Sequence, residues 1–195
     1  MSQIKVLHNP NGIEGLAVIE PTIHGDSRGY FFESYNAKDM KEEGLDLTFV
    51  QDNQSKSRKG VLRGLHFQKQ HSQGKLVRVI SGSVYDVAVD LRHSSPTYGK
   101  YYGITLTGSN NLQLYIPKGF AHGFLVLSDE ALFTYKCTDY YYPDDEGGLA
   151  WDDPDIGVDW PLEAIGGIEA ILLSNKDKRN PTLKEIVTNG FRFTF

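Results

Sequence analysis

The chain has 195 residues, enough for one well-packed domain and short for two. Its 39% hydrophobic and 23% charged residues lie far from the apolar-poor composition of disordered chains. A formal net charge of -5 argues against nucleic acid as the main partner, and the single cysteine, Cys137, excludes an internal disulfide framework and reads as a small core residue.

No apolar run approaches the ~18 residues of a membrane span, and the opening MSQIKVLHNP lacks the basic-then-apolar layout of a secretion signal. No membrane partner is expected, and the predicted location is the cytoplasm, which suits a lone thiol. Neither an internal repeat nor a Ser/Pro-rich linker divides the chain, so residues 1–195 read as a single domain.

In chain order, the first element is a short helix over Ala37–Glu43, capped by Asn36, with Asp39 in its first turn and Gly44 just past its end. Strands follow. Leu76–Ile80 and Ser83–Leu91 are rich in Val and Ile, and Ser81-Gly82 between them predicts a hairpin turn. Ile104–Thr107 and Leu112–Ile116 flank Gly108-Ser-Asn-Asn111, and Phe124–Leu127 and Leu132–Thr138 flank Ser128-Asp-Glu130, giving two further hairpins. Asn180-Pro181 opens a short helix through Val187, and the alternation in Phe191–Phe195 predicts an edge strand. Short strands at 8–12-residue spacing make an all-β sandwich or barrel, with only short peripheral helices.

Metal-binding cupins, small jelly-roll barrels built as a double-stranded β-helix, resemble this pattern. Pro117-Lys-Gly-Phe-Ala-His122 matches their second motif, Pro-x-Gly-x-x-His, and Lys75 followed by six residues and Gly82 matches the spacing that ends their first. The ligand positions differ. The His-x-His pair is His66-Phe67-Gln68 and the glutamate is Lys75, so two of the four donors are an amide and a cation. A charged lysine has three N–H donors and no acceptor, and it repels a divalent ion. The cavity is therefore predicted to hold no metal; His71, in the polar loop Lys69–Gln73, is the one substitute ligand within reach in sequence.

A histidine that accepts a proton, a second that orients or transfers one, and a lysine that stabilises an anion suit proton abstraction beside a carbonyl, because the enolate oxygen needs positive charge already in place. That is isomerase chemistry. His66, His122 and Lys75 are its candidates, whereas His8, His24 and His93 read as ordinary surface or core residues.

From about Ile19 to Trp160 the chain resembles one family, the dTDP-4-dehydrorhamnose 3,5-epimerases. The motifs are His24-Gly-Asp-Ser-Arg-Gly-Tyr-Phe-Phe-Glu33, Phe49-Val-Gln-Asp-Asn53, Val61-Leu-Arg-Gly-Leu-His-Phe-Gln68, Gly74-Lys-Leu-Val-Arg78, Ile116-Pro-Lys-Gly-Phe-Ala-His-Gly-Phe124, Tyr135-Lys136 with Thr138-Asp-Tyr-Tyr141, and Trp151-Asp-Asp-Pro154. The resemblance implies a cupin-like homodimer working without metal or cofactor. An N-terminal arm, about residues 1–60, would complete the partner's site. It implies dTDP-4-dehydro-6-deoxy-D-glucose as substrate, His66 as general base with Asp177 as its dyad partner, Lys75 on the C4 oxygen, Tyr135 as opposite-face acid and His122 in support. For substrate binding it implies Arg63, with Arg28 of the arm, on the diphosphate, Glu33, Gln51 and Asn53 on thymidine or sugar, and Tyr140 or Tyr141 stacking on the base. The segment Pro181–Phe195 carries no signature of the family.

Relatives that epimerise C3 alone or C5 alone share this catalytic set, so the residues favour the double epimerase without excluding them. A metal-dependent cupin enzyme would need Lys75 to be something else. A non-catalytic sugar-binding barrel would leave His66, Lys75, Tyr135 and Asp177 idle.

Overall fold

The computed structural model describes residues 2–193, whose strands are numbered here along the chain. One antiparallel sheet has, in order across it, β1 (Ile4–His8), β2 (Ala17–Pro21), β10 (Gln113–Ile116), β7 (Lys75–Ser81), β12 (Glu130–Cys137) and β5 (Gln51–Arg58). The second has β13 (Glu146–Gly148), β6 (Leu62–Gln68), β11 (Phe120–Val126), β8 (Ser83–Asp90) and β9 (Tyr101–Thr107). A separate hairpin pairs β3 (His24–Asp26) with β4 (Gly29–Phe31), and all six of its strand residues are exposed.

The strands predicted between Leu76 and Thr138 are present, but the three predicted hairpins are not. Ser81-Gly82 carries the chain from β7 in the first sheet to β8 in the second, Gly108–Asn111 carries it back to β10, and Ser128–Glu130 joins β11 to β12 across the same gap. Turn residues specify a reversal of direction; they do not specify whether the next strand pairs with the last one or crosses to the facing sheet. From β5 onward only β8 and β9 are consecutive and in the same sheet, which is the winding of a cupin-like jelly roll.

Both sheets are covered on both faces. Between them lie Val77, Val79, Val84, Leu106, Leu114, Phe120, Phe124 and Phe133. Behind the second sheet the chain after Gly148 packs Leu149, Trp160, Ile165, Ile186 and Phe193 on Leu65, Phe67, Val87 and Leu125. Behind the first, Met40 and Leu45 cover Ile19, Leu76 and Tyr115. Double coverage explains why β10 and β11 are buried at every position instead of alternating.

The first helix, α1 (Ala37–Glu42), has its predicted cap: Asn36 Oδ1 accepts from the Lys38 and Asp39 N–H groups at 3.0 and 3.3 Å. The second, α2 (Leu183–Thr188), starts later than Asn180-Pro181 predicts. Thr182-Leu-Lys-Glu185 forms a capping box in which Thr182 Oγ1 accepts from the Glu185 N–H at 3.3 Å and the Glu185 carboxylate accepts from the Thr182 N–H at 2.8 Å. The predicted edge strand at the C-terminus reduces to one parallel bridge between Phe193 and Arg92, and Thr194 and Phe195 lie outside the described residues. Phe191 and Phe193 instead pack their rings on Phe67 at 5.2 and 5.7 Å. No helix among the described residues is long and apolar enough to cross a membrane.

Candidate active site

The two sheets enclose a cavity of about 570 Å³. On the five-stranded side, β6 and β11 pair so that His66 and His122 are directly opposite. Two residues along β11, from His122 to Phe124, match three along β6, from His66 to Arg63. Residues three apart on a regular strand point to opposite faces, and the extra residue of this bulge brings both Arg63 and His66 to the cavity. The bulge needs glycine: at Gly64, with φ +122°, a Cβ would lie 2.6 Å from Gly123 Cα.

His122 is buried, and its Nε2 meets the Asp86 carboxylate of β8 at 2.9 and 3.1 Å. Burial pushes the His122 imidazole below its ordinary pKa; Asp86 opposes this, and the neighbouring Lys75 and His66 add to it. His66 directs Nε2 to Asp177 Oδ1 at 2.6 Å, leaving Nδ1 to carry the lone pair when Nε2–H is the donor. Asp177 is buried, and its other oxygen accepts from Ser174 Oγ at 2.8 Å. Burial alone would raise the Asp177 carboxyl, but the His66 and Ser174 hydrogen bonds outweigh it and hold the group below the usual carboxylate range. The aspartate therefore stays ionised and fixes the imidazole tautomer.

The facing wall comes from the six-stranded sheet. Lys75 on β7 is directly opposite Cys137 on β12, and Tyr135, two residues back on β12, is opposite Val77 and Asn53. Lys75, Tyr135 and Asn53 line the cavity. Burial pushes the Lys75 ammonium below its ordinary pKa, partly offset by Cys137, Asp86 and Glu146. Among the described residues its Nζ has neither a hydrogen bond nor a carboxylate partner, so it is free to meet an oxygen anion. The Tyr135 phenol, also without a hydrogen bond among these residues, is pushed above its ordinary value by burial and keeps its proton at neutral pH. Cys137 is a buried free thiol, as a core residue should be, and its sulfur accepts from Asn53 Nδ2 at 3.6 Å.

The structure thus brings together His66, His122, Lys75, Tyr135, Asp177, Asn53 and Arg63, whose Nε donates to Ser57 Oγ at 3.0 Å. It does not bring Arg28, Glu33, Gln51 or Tyr141 to the same cavity. Arg28 sits on the exposed β3–β4 hairpin, paired with Asp26 at 2.5 Å, and Glu33 accepts from Asn36 Nδ2 at 2.7 Å. Gln51 lies beside the cavity, donating to Asn53 Oδ1 at 3.0 Å and accepting from the Tyr141 N–H at 2.9 Å. Tyr140 and Tyr141 are both about half exposed, the ring of each free to take a partner face. His71 stacks on Tyr142, away from the cavity, and among the described residues no three His, Cys, Asp or Glu side chains converge as metal ligands.

Four groups escaped the sequence reading: Asp86, Glu146, Ser174 and Lys176. An acid in the middle of the apolar run Val84-Tyr-Asp-Val-Ala-Val89 was a usable signal for the first, since buried charges are rare unless paired. Glu146 accepts from the Tyr141 hydroxyl at 2.8 Å, pairs with Lys176 and lies 4.0 Å from His66 Nδ1. Burial tends to raise its carboxyl, and the Lys176 and Tyr141 hydrogen bonds reverse the sign. Nothing local in the sequence announces that contact.

Comparison with known proteins agrees with the geometry. Residues 10–185 match the family model described as dTDP-4-dehydrorhamnose 3,5-epimerase. The enzyme of that name from Methanothermobacter thermautotrophicus is 52% identical over 173 residues, 89% of this chain and 92% of that protein. The Escherichia coli enzyme is 49% identical, over 90% of this chain and 93% of its own length. A crystal structure of the Legionella pneumophila dTDP-6-deoxy-D-glucose-3,5-epimerase in complex with dTDP-4-keto-L-rhamnose superposes with a TM-score of 0.90 at 48% identity, covering 98% of each chain. With this coverage and identity, and with a cavity lined by His66, Tyr135 and Lys75 together, the chain belongs to the dTDP-4-dehydrorhamnose 3,5-epimerase family.

Proposed function

We propose that the chain converts dTDP-4-dehydro-6-deoxy-D-glucose to dTDP-4-dehydro-L-rhamnose by inverting C3 and C5 in turn, within dTDP-L-rhamnose biosynthesis. The observation that carries this reading is the placement of His66 and Tyr135 on facing sheets of one cavity, with an unpaired Lys75 beside them. Family membership supports it, as does the 4-keto sugar nucleotide bound by the Legionella relative.

The C4 ketone acidifies both C3–H and C5–H. His66 takes the proton, the C–H electron pair moves into the enolate, and the negative charge gathers on the C4 oxygen, where Lys75 meets it. Reprotonation must come from the other face, because a base that returned its own proton would restore the starting configuration. Tyr135 delivers that proton and recovers one from solvent; His66 gives up the proton it took. Asp177 holds the imidazole and stabilises the imidazolium that forms. His122, tied to Asp86, supports the enolate side, and Arg63 offers its guanidinium to the diphosphate.

Arg28 and Glu33 take their place in this scheme through a second copy of the chain. In a homodimer, the exposed β3–β4 hairpin within the arm of residues 1–60 would reach the neighbouring cavity, while Gln51 and Tyr141 at the rim would receive the thymidine. A nucleotide-activated sugar as substrate and a single free thiol support a cytoplasmic reaction as part of this proposal.

The Tyr135→Phe variant separates abstraction from delivery. It is expected to exchange the C5 proton with solvent at a rate near that of the parent while forming inverted product at least ~10²-fold more slowly, as loss of one acid–base group implies. Unchanged inversion would remove Tyr135 from its role. The reading as a whole is tested by incubating the chelator-treated protein with dTDP-4-dehydro-6-deoxy-D-glucose and trapping the product with a rhamnose-forming reductase. Turnover supports the metal-free double epimerase; a product inverted at one carbon, or no product, contradicts it.

A further inference from the structure

Asp177 opens a single 3-10 turn, Asp177–Arg179, in a stretch with no strand to hold it; Ser174 Oγ donates to its carboxylate and accepts from its N–H, and the turn itself must be anchored to keep the distance that His66 requires. The stretch is pinned at one end by backbone hydrogen bonds between Leu172 and the β5–β6 connection, Leu172 N–H to Gly60 O at 2.8 Å and Leu62 N–H to Leu172 O at 3.1 Å. At the other end the pin is Asn180. Its backbone N–H approaches Asp177 O at 3.4 Å, its Nδ2 donates to Gly64 O at 3.3 Å, and its side-chain amide lies against Gly148. Gly148 is the register partner of His66 on β13, and Gly64 is two residues before His66 on β6. One amide therefore touches the backbone beside His66 and the backbone just before it, while its own main chain closes the turn that carries Asp177.

Gly148 confirms how closely the amide is seated. Its φ lies outside the left-handed region, so the backbone would accept any residue; yet a Cβ there would stand 2.1 Å from Asn180 Oδ1. The glycine makes room for the asparagine. Asn180 does not line the cavity.

From this juxtaposition we propose that Asn180 is a positioning residue of the site, setting the Asp177–His66 contact through its clamp on Gly64 and Gly148. The proposal rests on the dyad reading given above. A misplacement of about 1 Å in such a contact costs on the order of 10²-fold in rate.

The test pairs two variants with a double-variant comparison. Asn180→Asp keeps the shape but removes the N–H donor and turns a carboxylate oxygen toward Gly64 O; Gly148→Ala leaves Asn180 in place and displaces its amide, and carries the comparison alone if the first fails to fold. Each is expected to lower kcat by about 10- to 100-fold with KM within about threefold, because the amide acts on positioning and not on binding. In the Asp177→Asn background, Asn180→Asp is expected to slow the reaction by no more than about twofold further, since the contact it serves is already gone. The proposal is overturned if kcat stays within about threefold of the parent in both variants, if the loss appears in KM instead, or if the two losses multiply in the double variant. Full activity in Asp177→Asn alone would overturn the dyad reading itself, and this proposal with it.

Discussion

Replacing His66 with glutamine is expected to lower kcat by ~10²–10⁴, the range for a lost general base, without unfolding the protein. Glutamine is the informative choice because its terminal amide reaches the position of Nε2 and can still donate to Asp177. Alanine would leave a buried carboxylate that has lost its nearest partner, and the cost of that orphan, about 1–3 kcal/mol, would mix stability into the rate. The substitution should also stop solvent exchange at both C3 and C5, since one base serves both carbons in this account. Thermal unfolding beside the kinetics separates the two effects. A variant with more than a tenth of parental activity and an unchanged melting temperature would mean that another group takes the proton.

Lys75→Met is the second large effect. It keeps the length of the side chain and removes the charge, so the enolate loses its preorganised cation. The expected loss is ~10²–10³ in kcat, or roughly 3–4 kcal/mol of transition-state stabilisation. The pH profile carries an independent signature. Lys75 works only when protonated, and burial holds its pKa below the ordinary lysine value, so activity should fall on the alkaline side earlier than a surface lysine would dictate. The other groups of that wall do not mimic it: burial raises both Tyr135 and Cys137, which therefore lose their protons later than their ordinary values imply. Lys75→Arg, always charged, should push the alkaline limb upward whatever it does to the rate. An unchanged limb in Lys75→Arg would assign the limb to another group and leave Lys75 without its role.

Much of this site is legible in the sequence because its chemistry breaks a pattern that is otherwise apolar. Lys75 stands where cupins carry a metal-binding acid, and His122 ends a Pro-x-Gly-x-x-His motif; both fall on strands that the Val- and Ile-rich runs announce. The partners of these residues are harder to read. Asp86 meets His122 because β8 and β11 are neighbours, and that pairing depends on which sheet each turn delivers its strand to. The same ambiguity hid the true crossings behind three expected hairpins. The bulge between Gly64 and Gly123 is invisible without the register of both strands, yet it is what turns Arg63 and His66 to one side.

The C-terminal third shows a different limit. Asp177 is visible as part of Leu173-Ser-Asn-Lys-Asp177, but its contact with His66 spans 111 positions along the chain and depends on tertiary packing. The capping box at Thr182 and Glu185 could have been found from spacing alone, and it fixes the start of α2 better than Pro181 does. Phe191 and Phe193 alternate like a strand, but burial against Phe67 decides their conformation in place of sheet pairing.

The central claim is that one cavity abstracts a proton from each carbon beside a ketone and delivers another from the opposite face. Proton NMR of dTDP-4-dehydro-6-deoxy-D-glucose in D₂O with the chelator-treated protein tests it most directly. The account predicts deuterium at both C3 and C5 and the inverted sugar as product. Deuterium at one carbon alone would make the protein a single-centre epimerase, and exchange at neither would contradict the assignment of His66, Lys75 and Tyr135 to this chemistry.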